Sequence, residues 1–114
     1  DVRWTAEAVS NVLDNAVKYS PAGTRVQIRV NSMVSYVFIE VEDEGIGIPK
    51  SEYADIFKRF YRGKREAVER EEGAGVGLYL VRKILEEQGG SVRALNAPGG
   101  GSVLQMMLPK EYGV

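Results

Sequence analysis

Two segments of this 114-residue chain repeat apolar residues at helical spacing, and each is followed by a pair of segments that alternate at strand spacing. That order leaves few folds open. Residues 4–19 predict a helix with Val9, Leu13, Ala16 and Val17 gathered on the side expected to face a core. The run S-P-A-G at 20–23 stops it. Val26, Ile28 and Val30 alternate with Arg25, Gln27 and Arg29, which predicts a half-buried strand. After a turn at 31–33 a second strand is expected over 34–42, with Val37, Ile39 and Val41 on one face. Residues 78–88 predict a second long helix, closed by Gly89 and Gly90. Strands near 91–96 and 102–108 flank a hairpin signal, A-P-G-G-G at 97–101. Such an order reads as α+β, with helices packed on one face of a largely antiparallel sheet. Residues 49–76 differ, with one short helix expected near 52–57 and a charged stretch over 64–72. A segment like this inside a compact domain is more often functional or mobile than idle.

Composition then removes whole classes of chemistry. The length suits one domain with a real core and not two. A net charge of −1 offers no electrostatic footprint for nucleic acid, so no such partner is expected. Without cysteine there is neither a disulfide framework nor a thiolate metal site. Without histidine there is no imidazole base, no histidine metal ligand and no phosphohistidine in this chain. No apolar run approaches the length of a membrane span, and no signal peptide is expected within these residues. The opening D-V-R-W lies close to a helix start, so the chain is expected to be a domain of something longer.

Three patterns carry candidate chemistry. At roughly 100° per residue, Asn11, Asn15 and Lys18 fall within a sector of about 60°, expected opposite the apolar side, with Tyr19 at its edge. Two amides and an ammonium on one rigid face could hold a cation and an anion together, or could form an ordinary wet surface. The run E-D-E-G-I-G-I-P at 42–49 places Asp43 at a strand end before two glycines. Asp43 could accept a hydrogen bond from an exocyclic amine, and glycine lets backbone approach a flat ligand; an acidic turn is the plainer reading. The run G-A-G-V-G-L at 73–78 leads straight into the second long helix, where backbone amides form a natural phosphate site. A dinucleotide fold is excluded because E-R-E-E, not a strand, precedes Gly73, and the P-loop pattern G-x-x-x-x-G-K-[ST] is absent.

Taken in order, N-V-L-D-N-A-V-K-Y-S at 11–20, D-E-G-I-G-I-P at 43–49, F-K-R-F-Y-R at 57–62 and G-A-G-V-G-L at 73–78 resemble the N, G1, F and G2 boxes of the sensor histidine kinase catalytic domain. That domain is one branch of the gyrase, chaperone, histidine kinase and mismatch-repair superfamily. The likeness extends from about Val9 to Leu108 and Pro109. It implies a Bergerat-type two-layer α/β sandwich over residues 1–114, with a largely antiparallel mixed sheet and a mobile ATP lid at about 49–77. It also implies that the dimerisation and phosphoacceptor domain lies outside the chain.

The resemblance further implies ATP and Mg²⁺ as ligands. Asn15 would give the metal a neutral oxygen, and Asn11 would contact the phosphates or the metal's water shell. Lys18 would neutralise phosphate charge, and Tyr19 would line the sugar and phosphate side. Asp43 would bind the adenine amine, with Gly45 and Gly47 letting the base lie against the backbone. Phe57 and Phe60 would anchor the lid, and Arg62 would reach the γ-phosphate. Gly73, Gly75 and Gly77 would hinge the lid and admit phosphates at the helix start, where Leu78 completes the box. Trp4 and Tyr79 are expected to pack, and Lys58, Arg59 and residues 64–72 to form a solvated surface.

Reaction type follows from one position. Hydrolytic branches of the superfamily carry a water-activating glutamate one turn before the metal asparagine; here that position is Asn11, and Glu7 lies two turns away. Asn15, Lys18 and Arg62 are therefore expected to serve phosphoryl transfer, which needs positioning and charge neutralisation more than covalent chemistry. The implied activity is transfer of the γ-phosphate of ATP to a histidine on a separate domain, within a two-component sensor kinase. Competing readings are an anti-sigma-factor-type serine/threonine kinase, a degenerate nucleotide-binding interaction module and a hydrolytic ATPase. Implied partners are ATP or ADP, the kinase's own dimerisation and histidine phosphotransfer domain, and indirectly a response regulator. The isolated domain is expected to be monomeric, and the full-length protein a homodimer anchored in a bacterial inner membrane with this domain in the cytoplasm.

Overall fold

A computed structural model of the chain describes residues 2–58 and 77–110. Helix α1 (Val2–Tyr19) is followed by strands β1 (Gln27–Ser32) and β2 (Tyr36–Glu42). Two single 3₁₀ turns come next, Lys50–Glu52 and Asp55–Phe57. Helix α2 (Gly77–Glu87) then leads to β3 (Ser91–Asn96) and β4 (Ser102–Pro109). The strands form one sheet in the order β1-β2-β4-β3. All three pairings are antiparallel, so among the described residues the sheet is not mixed. α1 packs over β2, and α2 over β3 and β4.

Register explains where the core sits. Side chains alternate between faces along a strand, so residues in cross-strand register share a face. One row runs Ile28, Val41, Leu104, Ala94 and the next Val30, Ile39, Met106, Val92. Onto these rows α1 places Ala8, Val12 and Ala16, one helical turn apart, and α2 places Val81, Ile84 and Leu85. Val12, Val81 and Leu85 are fully buried, and Val41 and Met106 nearly so. The other face is wet. There Arg29 bonds Glu42 at 2.7 Å and Glu40 at 3.3 Å, and Gln105 links Glu40 to Arg93 at 2.6 Å on each side. Donating to the Glu42 and Glu40 carboxylates raises the Arg29 pKa further, but exposed pairs of this kind contribute little to stability.

Several expectations are corrected. Val17 is 66% exposed because the buried seam of α1 runs through Ala8, Val12 and Ala16, and its middle residue, Val12, lies about 140° away from it. Ile28 and Val30 share rows with buried residues yet are 52% and 63% exposed, because β1 is an edge strand outside the cover of the helices. Val34 is exposed in the β1–β2 turn, which Met33 closes by donating its N–H to the Tyr36 carbonyl at 2.8 Å. Trp4, expected to pack, is 58% exposed, whereas Tyr79 lies under the Arg82 guanidinium at 5.8 Å. The single helix expected at 52–57 is two separate 3₁₀ turns. Phe57 is buried in the core, and Ile48, Tyr53 and Ile56 pack against that core, so the start of the expected lid is tied to the domain body. Residues 59–76 of that lid lie outside the described residues.

Candidate nucleotide site

The inner rows of the sheet end in a polar row at its rim. Register pairs Glu42 with Val103 and Asn96 with Ser102, and the Asp43 N–H continues the ladder by donating to the Ser102 carbonyl at 2.9 Å. By pleat alternation Asp43, Ser102 and Asn96 therefore share the face that carries Val41, Leu104 and Ala94. Asp43 and Ser102 are each only 7% exposed. A buried carboxylate must be hydrogen-bonded, and this one is. Its Oδ1 accepts from the Gly45 N–H at 2.8 Å and the Ser102 N–H at 3.3 Å, and its Oδ2 accepts from the Ser102 hydroxyl at 2.8 Å. A carboxylate offers about four acceptor positions, so Oδ2 keeps room for one more donor.

The loop after Asp43 is shaped by neighbours on two sides. A Cβ on Gly45 would collide with the Tyr19 carbonyl, so the loop lies directly against the end of α1. The Arg25 N–H also donates to the Glu44 carboxylate at 2.9 Å. From the other side, Asn96 Oδ1 accepts from the Ile48 N–H at 3.3 Å. Gly47 and Gly101 adopt φ of 75° and 84°, a region that favours glycine. A Cβ on Gly101 would meet the Asp43 carbonyl, so no other residue fits between hairpin and loop.

The α1 stripe sits differently from its expected place. On the helical wheel Asn15 is only about 20° from buried Ala8, so the stripe borders the core seam instead of opposing it. Asn11, Asn15 and Tyr19 are half-buried, and Lys18 is exposed. The Asn11 amide nitrogen donates to the Glu7 carbonyl at 3.0 Å, which leaves its oxygen to face the start of α2. That oxygen lies 4.0 Å from where a Cβ on Gly77 would stand. The first backbone amides of a helix carry partial positive charge. Leu78, next in line, packs its side chain against the core.

The structure thus brings Asn11 to Gly77 and Tyr19 to Gly45, with Asp43 at the rim just beyond Gly45. Phe60, Arg62, Gly73 and Gly75 lie outside the described residues. Ser102, Asn96 and Gly101 are additions that sequence reading missed. Their only sequence signal was their position at the mouth of a hairpin, and their opposition to Asp43 depends on β2 pairing with β4. Among the described residues no three acidic side chains gather to hold a metal. A neutral amide such as Asn15 suits a magnesium ion that arrives on phosphates and keeps most of its waters.

The model of the histidine kinase-, DNA gyrase B- and HSP90-like ATPase family matches residues 1–112. The sensor histidine kinase WalK of Bacillus subtilis is 36% identical over 105 residues, covering 90% of this chain and 17% of WalK. The chain therefore spans a small part of the curated relatives it matches. Among solved structures, the mycobacterial sensor histidine kinase MprB is 33% identical with a TM-score of 0.84, covering 96% of this chain and 72% of that one. Full-length ShkA in complex with AMPPNP is 27% identical with a TM-score of 0.76, covering 90% of this chain and 20% of that one.

Proposed function

The chain belongs to the histidine kinase-, DNA gyrase B- and HSP90-like ATPase family, and on that premise we propose that it binds Mg-ATP and donates the γ-phosphate to a histidine outside its own sequence. The observation that carries this reading is Asp43: buried, held by three donors, with one acceptor position left on Oδ2. The adenine amine is a donor suited to that position. Guanine presents a carbonyl oxygen at the same edge, and two acceptors repel. Gly45 and Gly47 give the base a backbone wall, and Tyr19 stands at the end of α1 beside it.

Asn11, Lys18 and the amides at Gly77 and Leu78 would surround the phosphates, and Arg62 would add a cation at the γ end. Asn15 would supply one amide oxygen to Mg²⁺, which when bound neutralises phosphate oxygens and helps orient them for in-line attack. In the transfer the acceptor imidazole nitrogen forms a bond to the γ-phosphorus while the bond to the β,γ-bridging oxygen breaks, and ADP leaves. This chain contains no histidine, so the acceptor comes from another domain. Asn11 stands where hydrolytic relatives carry glutamate, and an amide cannot take a proton from water; the residues favour transfer. The longer protein would be a homodimeric, membrane-anchored sensor kinase that passes phosphate to a response regulator, with this domain in the cytoplasm. No described helix is long and apolar enough to cross a membrane.

The test is to mix the purified chain with a histidine-bearing phosphoacceptor domain and γ-labelled ATP. Acid-labile label on the acceptor histidine is expected. Acid-stable label would point to a serine/threonine kinase, binding without transfer to a nucleotide-binding module, and steady phosphate release without acceptor to a hydrolase.

A further inference from the structure

We propose that Asn96 is a positioning residue for the base pocket: through its side-chain oxygen the closing pair of the β3–β4 hairpin holds the 45–48 loop in its ligand-ready shape. The inference rests on the reading of Asp43 as the adenine acceptor. Asn96 and Ser102 are directly opposite each other at the end of the ladder, so the pleat sends both side chains to one face. There they divide the work. Ser102 takes the Asp43 carboxylate with both its N–H and its hydroxyl. Asn96 takes the far end of the same loop by accepting from the Ile48 N–H at 3.3 Å.

Between those two anchors lie Gly45, Ile46 and Gly47. Gly47 sits at φ 75°, with the Asn96 oxygen 3.6 Å and the Gly101 carbonyl 3.4 Å from where its Cβ would be. A glycine in this region has many accessible conformations to lose on ordering. The Asn96 oxygen, held by the next residue's N–H, favours one of them before ligand arrives, and binding to a pre-shaped loop costs less ordering entropy. Asn96 is exposed and lies outside the core cluster, so its role is in the loop and not in the stability of the domain.

The test compares the parent chain with Asn96→Ala, Asn96→Asp and Gly99→Ala by ADP and ATP calorimetry, with ¹H–¹⁵N spectra of the nucleotide-free proteins. Asp keeps an acceptor of the same length. Gly99→Ala is the control in the same hairpin, since an added Cβ there meets nothing within 4 Å. Asn96→Ala is expected to weaken ADP and ATP equally, by about three- to tenfold, as for loss of one hydrogen bond. The Ile48 amide resonance should shift in the same variant. Asp should restore affinity to within about twofold, and Gly99→Ala should match the parent. If the alanine variant does not fold, Asn96→Val repeats the test with a residue suited to strand ends. Parent-like ADP binding by the alanine or valine variant, or an Asp variant as weak as Ala, overturns the proposal. A parent chain that fails to bind ADP overturns instead the reading beneath it.

Discussion

At the scale of single residues, Asp43 is a buried carboxylate that has been given three donors and left room for a fourth. Replacing it with Asn turns Oδ2 into a donor, which the Ser102 hydroxyl can rotate to accept but an incoming amine cannot. Asp43→Asn and Asp43→Ala are each expected to lower ATP and ADP affinity by more than about tenfold, with circular dichroism unchanged; calorimetry showing undiminished binding would remove the adenine assignment. Ser102→Ala loses only one of the three donors, so a smaller loss of about three- to tenfold is expected in the same titration. Gly101 is a different kind of position. Its φ of 84° and the Asp43 carbonyl in front of it make Gly101→Ala costly to the fold itself, by at least about 1–3 kcal/mol in urea denaturation. Of these three residues only Asp43 stood out in the sequence. Its strand-end place at the head of D-E-G-I-G was visible, whereas Ser102 and Gly101 gain their meaning from a partner strand some sixty positions away.

At the scale of elements, helical periodicity located α1 and α2 and set Val9, Leu13 and Ala16 against the core, but it misplaced Val17 and missed Ala8 and Val12 at the buried seam. Val9, Leu13, Ala16 and Val17 do cluster on the wheel, yet the helix packs along small residues, with Ala8 fully buried and Ala16 nearly so. Alanine carries little hydrophobic weight in a pattern, but it lets a helix approach a sheet closely. The consequence is measurable. Leu85→Ala should cost about 2–5 kcal/mol in denaturant unfolding, as for a fully buried leucine on α2. Val17→Ser, read from the pattern as a core change, should stay within about 0.5 kcal/mol of the parent. The same rotation brings Asn11 and Asn15 to the border of the core, where half-burial fixes them better than an open surface would. Asn15→Ala is therefore expected to reduce ATP affinity more with Mg²⁺ present than with the metal chelated. Equal affinity of the parent with and without Mg²⁺ would count against a metal role for Asn15.

At the scale of the whole molecule, the candidate site draws on three bodies: α1 through Asn11 and Tyr19, the start of α2 at Gly77, and the β2–β4–β3 rim. A ligand bridging all three ties the two layers together. ATP at about a hundredfold over its dissociation constant should stabilise the chain by ~2.7 kcal/mol, a rise in melting temperature of roughly 10 °C, while GTP leaves it unmoved. An equal response to GTP would show that Asp43 does not select the base. The sequence by itself determined the element order, the hairpins, the absence of any histidine acceptor and the candidate roles of Asn11, Asn15 and Asp43. These depend on spacing and residue type, which are local. Only the tertiary structure decided that β2 pairs with β4, that the α1 stripe borders the core, and that Asn96 and Ser102 stand beside Asp43 on one face. Those facts depend on which distant segments bury surface against each other. Local periodicity carries no record of that choice, because it tells which residues share a face and not what the face meets.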